Sequence, residues 1–442
     1  MTKTAFRKNF LRGLGSALLE LQSSDDPSRF YDAVLYGCLH NTTYDMQCEG
    51  NRGWYLHQAA KLVKNATTIE RVVSDKIFCI RKDSRLFEQM ASLLYNFAAD
   101  GSDNARKTLY QQYVSMLQEL AKKRKSDTPY NRHDMFETLC VLLTSLDGWK
   151  AFKIIVLDVS EILLPRNVDF FFSEWFYVAS KHKFGEKRVE SYLQKQAEKS
   201  LHMHNYYEKA KQWNNHKFEE PPIPTLDDVL SAKNGLFESM RYLAYRYAKN
   251  ASPEELEKLA QVAMNETNES VQIDLLWAFR RFVKYPFPEE FLLKLSKSGS
   301  EELRGLTYDI MGQNPSPRTR ELALSLIKDN KTADGISLLV KSPLPEDEFL
   351  LFDIVKSIPV HKDKAEWHSL YMDVQDGIEA KRGKPKTDIL EFLYRNTFCG
   401  VCRSRIVRLM HKKKQLPDKI LKECFFDSNN DIREFVGRLR RK

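Results

Sequence analysis

The densest gathering of polar and aromatic side chains in this sequence is YDMQCEGNRGWYL, which places Tyr44, Asp45, Gln47, Glu49, Arg52, Trp54 and Tyr55 in one short stretch. Arg52 follows Glu49 by three residues, close enough to pair on one helix face. Carboxylates beside an arginine and aromatic rings can bind a base, a sugar or a peptide, or carry out acid–base work. The same pattern suits a capped helix start, in which Glu49 and Arg52 pair while Trp54 and Tyr55 enter the core. The two readings differ in accessibility. A binding surface built from Asp45, Glu49, Arg52, Trp54 and Tyr55 keeps Glu49, Arg52 and Trp54 at least partly open.

A second candidate is CGVC, Cys399 to Cys402, with His411 and Cys424 downstream. Four such ligands could hold zinc, but a single CxxC with irregular later spacing is a weak signal. A redox pair would need a βαβ context that is absent here, and two ordinary helical cysteines explain the same residues. No metal and no cofactor is therefore expected. His202 and His204 are two residues apart and diverge on a helix; His216 stands in the adjoining Pro-rich stretch. No serine, nor Cys140, has a legible histidine–acid arrangement, and no Gly-rich strand-to-helix turn marks a nucleotide site.

The charge distribution suggests a different chemistry. The chain carries a formal net charge of +9, and residues 391–442 hold 14 Lys or Arg against 6 Asp or Glu, leaving 55 against 54 in the first 390 residues. Arg403, Arg405 and Arg408, then His411 with Lys412, Lys413 and Lys414, then Arg438, Arg440, Arg441 and Lys442 make this end basic. If Arg403, Arg405, Arg408, Lys412, Lys413 and Arg438 faced one groove, backbone phosphates would be a natural ligand, without base specificity. A further basic run, Lys122-Lys123-Arg124-Lys125, reads as a loop between helices.

The elements that must position these residues are helical. Gly and Pro together are 33 of 442 residues, about 7.5% against roughly 12% in average usage, which disfavours collagen-like, low-complexity and turn-rich β chains. The most apolar run, Ile154 to Leu164, is interrupted by Asp158 and Glu161, so no membrane span is expected. Lys3, Arg7, Lys8 and Arg12 precede any acid but no apolar secretory core is joined to them, and seven scattered cysteines suit a reducing compartment; a cytoplasmic location is expected. In the first half the pattern predicts helices near 5–22, 28–39, 49–64, 67–80, 84–99, 103–122, 130–145, 149–163, 168–182 and 186–210. A linker is expected at 213–228, where NNHKFEEPPIPTLDD concentrates Asn and Pro.

In the second half a proline followed by polar residues opens a short apolar helix at Pro253, Pro288, Pro317, Pro345 and Pro417, at intervals of 35, 29, 28 and 72. Proline suits the first helical position, and the acids beyond it oppose the helix dipole. Between these helices lies a second series, clearest over Glu269–Val283, whose apolar positions Val271, Leu275, Ala278, Phe279 and Phe282 share one face. Asn268-Glu269-Ser270-Val271, Ser300-Glu301-Glu302-Leu303 and Asn430-Asp431-Ile432-Arg433 repeat one helix start. The prolines are expected at the starts of second helices of antiparallel pairs.

Two helices per unit of roughly 30 to 36 residues is the signature of a stacked array in which neighbours share one core. Over about 252–442 the chain resembles the HEAT-repeat family, and NNDIREFVGRL looks most like the second half of a HEAT unit. The resemblance implies an all-α fold, an α-solenoid of antiparallel helix pairs. The organisation expected is an irregular helical region at 1–212, the linker at 213–228 and a HEAT-like region with a basic end at 229–442. The function this organisation leads us to expect is that of a non-enzymatic scaffold whose concave surface binds a macromolecular partner, a protein first. The competing expectation is nucleic-acid binding through the basic C-terminal repeats. Some HEAT-like proteins are alkylpurine DNA glycosylases, but their catalytic Asp, Trp and Arg find no definite positions here.

Overall fold

Helix starts follow the capping chemistry. Ser252 accepts the N–H of Glu255 while the Glu255 carboxylate accepts the N–H of Ser252, a reciprocal box ahead of the helix Pro253–Asn265. Ser316 and Thr319 do the same for Pro317–Lys328. Asn268, Ser300 and Asn429 cap Glu269–Leu276, Glu301–Met311 and Asn430–Leu439 with their side-chain oxygens. Pro253 and Pro317 occupy the first turn, Pro288 and Pro417 stand one residue before it, and Pro345 lies outside the described residues.

The structure is a computed structural model that describes residues 1–122, 130–166, 171–214, 221–232, 239–280, 283–341, 344, 346–358, 364–381 and 383–441. The described residues are all-helical, with no strand among them. No helix among them is long and apolar enough to cross a membrane. Two compact units emerge: residues 1–218 with 397–408 and 416–442, and residues 219–396 with 409–415. The first crossing between the units falls within 213–228; residues 215–220 lie outside the described set, and Thr225 caps a short helix, Leu226–Leu230. Most of the basic segment expected within one C-terminal region, 397–408 and 416–442, packs with the N-terminal helices of unit 1.

Unit 1 is built on a continuous apolar core running from Phe6 and Phe10 through Leu94, Leu109 and Phe152 to Tyr206. Its helices depart from the expected boundaries at three places. The stretch 5–22 is two helices, Lys3–Leu11 and Gly15–Ser23, parted by Gly13 at φ +78°. The helix expected from residue 49 begins at Gly53, and 186–210 breaks after Ala197. By contrast the two helices expected at 130–145 and 149–163 are both present within Tyr130–Asp158, parted by the non-helical Gly148, and the second continues into a π-turn at Val159–Leu163.

In unit 2 the helices Glu269–Leu276, Glu301–Met311, Thr332–Leu339 and Lys364–Ala380 each pack on the next in order. Helices opened by proline pack on the helix next in the chain, as Pro317–Lys328 does on Thr332–Leu339. The prolines therefore start first helices of pairs, not second ones. The reason is the connections: only Asp329 to Lys331 separate that pair, whereas 280–288 precedes the helix Glu289–Leu295. The helix expected over Glu269–Val283 ends at Leu276 and tightens into a 3₁₀ turn, Trp277–Phe279; Phe282 lies outside the described residues. Leu275 and Phe279 are fully buried, and Val271 is half-buried. Arginine–carboxylate pairs link elements with one helix between them in the chain: Arg241 to Asp274 at 2.9 Å, Arg280 to Asp309 at 2.6 Å, and Arg320 to the buried Asp347 through two bonds of 2.7 and 2.8 Å.

Candidate functional site

The stretch YDMQCEGNRGWYL folds into one turn of helix, Met46–Glu49, and then the start of Gly53–Leu62. Asn51 shapes the junction, its side-chain oxygen accepting the N–H of Gly53 at 3.0 Å. Arg52, 3% exposed, donates from Nη1 to the Leu11 carbonyl at 2.7 Å and to Thr42 Oγ1 at 3.1 Å. Its Nη2 lies 3.6 Å from Glu49 Oε2, and that carboxylate is itself 3% exposed. Burial lowers the pKa of Arg52, with Glu49 opposing that shift. Tyr55 is buried and donates to the Leu14 carbonyl at 2.9 Å. Trp54 is half-buried beneath the Arg433 guanidinium, 4.0 Å from its ring centre, and Asp45 is half-buried.

The expected open surface is thus largely interior. Arg52, Tyr55 and the Glu49 carboxylate tie the start of Gly53–Leu62 to the segment joining the first two helices, and the C-terminal helices cover them. Gly13 and Gly15 permit this approach. A Cβ on Gly15 would sit 1.8 Å from the Glu423 carbonyl oxygen, and one on Gly13 would sit 2.0 Å from Ser428 Oγ. The Ser428 N–H donates to the Gly13 carbonyl at 2.9 Å.

Arg403 is corrected in the same way. It is fully buried and donates from Nε and Nη2 to the two oxygens of Asp427, both at 2.8 Å, so it cannot serve a polyanion. The cause is its place on the helix Gly400–Lys412, where Cys402, Arg403, Ile406, Val407 and Met410 form the inward face. Arg405 and Arg408 emerge on the opposite side and are exposed, with Arg408 lying 4.7 Å over the Phe435 ring; Arg438, Arg440 and Arg441 are exposed as well. In unit 2, Lys412 approaches Glu379 at 3.6 Å, and half-buried Lys413 donates to the Lys381 carbonyl.

Cys399, Cys402 and Cys424 are all buried, while His411 is exposed. A hydrogen bond with Cys399, then burial, raises the Cys402 thiol far above its usual range. Neither His411 nor Cys424 belongs to any group of three or more metal-capable side chains among the described residues. His202 and His204 are exposed; His216 and the run Lys123 to Lys125 lie outside the described residues.

Unit 2 also holds a pocket of about 280 Å³ that was not foreseen from the sequence. Its apolar wall comes from Leu351 on Asp347–Ser357, Ile378 on Lys364–Ala380 and Ile389 at the start of Ile389–Asn396, and its rim from Lys381, Lys384 and Lys386. Glu348 fixes the rim loop. One carboxylate oxygen accepts the N–H groups of Lys386 and Thr387 at 2.6 and 2.7 Å and the Thr387 hydroxyl at 2.9 Å. Gln415 donates to the Pro385 carbonyl at 2.8 Å and Lys381 to the Leu344 carbonyl at 3.0 Å, while Gly383 turns the loop at φ +93°. The legible signal was KRGKPKT, four basic residues in six with a Gly and a Pro between them. A more open concavity between Glu289–Leu295 and Pro317–Lys328 has mixed charge, with Arg318 bonded to Glu290 at 2.5 Å.

No family model, curated protein or solved structure matches this chain.

Proposed function

We propose that the protein is a non-enzymatic, HEAT-like α-solenoid scaffold that binds a macromolecular partner, a protein, through unit 2. The observation that supports this reading is the serial packing of Glu269–Leu276, Glu301–Met311, Thr332–Leu339 and Lys364–Ala380, with Arg241 and Arg280 bonded to Asp274 and Asp309 on the first two. Stacked helix pairs present an extended side-chain surface on a rigid support, which is how repeat arrays bind other proteins. The test is affinity capture with the full chain from native lysate, with and without nuclease. One protein retained in stoichiometric amount in both arms is expected. Absence of any such protein would sink the reading.

A polyanion is the second reading, favoured by the exposure of Arg405, Arg408 and Arg438 in unit 1. Were each to contact one phosphate of duplex DNA, log affinity would fall with log salt at a slope of about −3. Reversing all three to Glu should abolish that slope; DNA binding that survives the change rules this surface out.

A further inference from the structure

The rim lysines of the unit 2 pocket stand over apolar walls, and this combination selects a ligand. We propose that the pocket bounded by Leu351, Ile378, Ile389 and the loop 383–387 recognises an acidic peptide segment that inserts one apolar side chain. The proposal deepens the scaffold reading and rests on it, since it names where and by what chemistry a protein partner docks.

Size and lining come first. At about 280 Å³ the cavity suits a single side chain rather than a drug-sized molecule, for which pockets run from roughly 300 to 1,000 Å³. Three aliphatic side chains provide the wall, so the group that enters must be apolar to gain from burial. The rim supplies the second specification. Lys384 and Lys386 are exposed and have no carboxylate partner among the described residues, while Lys381 spends one donor on the Leu344 carbonyl. Lys413 adds a fourth ammonium against the Lys381 backbone. Against these stand Glu348, whose carboxylate is committed to the loop's own N–H groups, and Asp388. The exposed Lys384 and Lys386, with no carboxylate partner among the described residues, favour acidic residues on either side of the anchor.

The rim is also held in shape before any ligand arrives. Glu348, on the helix Asp347–Ser357, and Gln415, in the stretch after Gly400–Lys412, grip the loop from two separate segments, so little conformational entropy is lost on binding. Nucleic acid is the poorer match. Single-stranded bases bind by stacking on aromatic rings, and the lining contains none.

The experiment is a selection of random displayed peptides on the full-length chain, with the double variant Lys384→Glu, Lys386→Glu as counter-target. Both lysines are exposed, and circular dichroism confirms that the variant keeps its helix content. Selected sequences should be rich in Asp and Glu around one Leu, Ile, Met or Phe. The best of them, synthesised and measured by fluorescence anisotropy, should bind the double variant about tenfold more weakly, and lose a comparable factor when its apolar residue becomes Ala. Selection of sequences without acids, equal binding to the variant, indifference to the Ala change, or displacement of the peptide by a single-stranded oligonucleotide each overturns the proposal. Capture of the same nuclease-resistant protein partner by the double variant as by wild type removes the pocket while the scaffold reading stands.

Discussion

Arg403 and Asp427 show what a buried charge demands at the level of single residues. Both are sealed from water, and the planar guanidinium meets the carboxylate through two parallel bonds of 2.8 Å. Desolvating two ions costs nearly as much as their attraction returns, so the pair adds little net stability while intact, yet removing one partner strands the other. Asp427→Asn should lower unfolding free energy by about 3–5 kcal/mol in a urea titration, and joint replacement of both residues by apolar ones of similar volume should recover most of it. Glu137 gives a pH prediction. Burial, reinforced by Asp134, pushes its carboxyl up to about 7, so the folded chain holds that proton more tightly than the unfolded chain. The associated stability is present below the ordinary carboxylate range and is lost as pH rises through about 7. Glu137→Gln should remove this loss, gaining on the order of 1–3 kcal/mol at pH 8 and little at pH 4. Asp373, raised to about 6 chiefly by burial, contributes a similar slope at lower pH.

The helix Tyr130–Asp158 carries its own break, set by one backbone angle pair. Gly148 takes φ +61° and ψ −138°, a region that side chains avoid, and a Cβ there would meet nothing within 4 Å. Gly148→Ala therefore tests backbone strain without a steric clash, and should cost about 1–3 kcal/mol in thermal or chemical denaturation. In unit 2 the stabilising contribution lies in the shared core. Leu275 is fully buried in a helix of only eight residues, too short to persist without its neighbours. Leu275→Ala should cost about 2–5 kcal/mol, a larger loss than the roughly 1 kcal/mol expected from removing the Ser252 cap. Equal effects would mean that the pairs are held by local helix propensity and not by packing.

At the scale of the whole molecule, unit 1 is completed by segments from opposite ends of the chain. Asp418–Cys424 packs on Gly15–Ser23, Ser428 bonds to Gly13, and Arg433 covers Trp54. Ending the chain at Asn396 should uncover this face, lower the unfolding midpoint of unit 1 and shift Trp54 emission to longer wavelength. An unchanged midpoint would show that residues 397–442 are an accessory to unit 1 and not part of its core. The basic end divides accordingly. Arg403 is spent inside, Arg433 is half-buried on an aromatic face, and only the outward residues of the same helices remain for solvent.

Local chemistry was legible from the sequence because it depends on near neighbours. The caps at Asn268 and Ser300, the proline-opened helices and the all-helical character follow from hydrogen-bond geometry and periodicity within a few residues. The register of a helix against a distant segment is not encoded so locally. Arg403 and Arg405 are two residues apart with the same charge, yet one meets Asp427 24 positions away and the other is exposed to solvent. Arg52 and Glu49 pair as their spacing suggests, but only the arrival of Glu423 to Arg433 decides that they are interior. The pocket is the extreme case, because its walls and rim come from positions 348 to 389 and its loop is held by Glu348 from 38 and 39 residues upstream. Periodicity reports which face of a helix is apolar; which segment covers that face is set by packing.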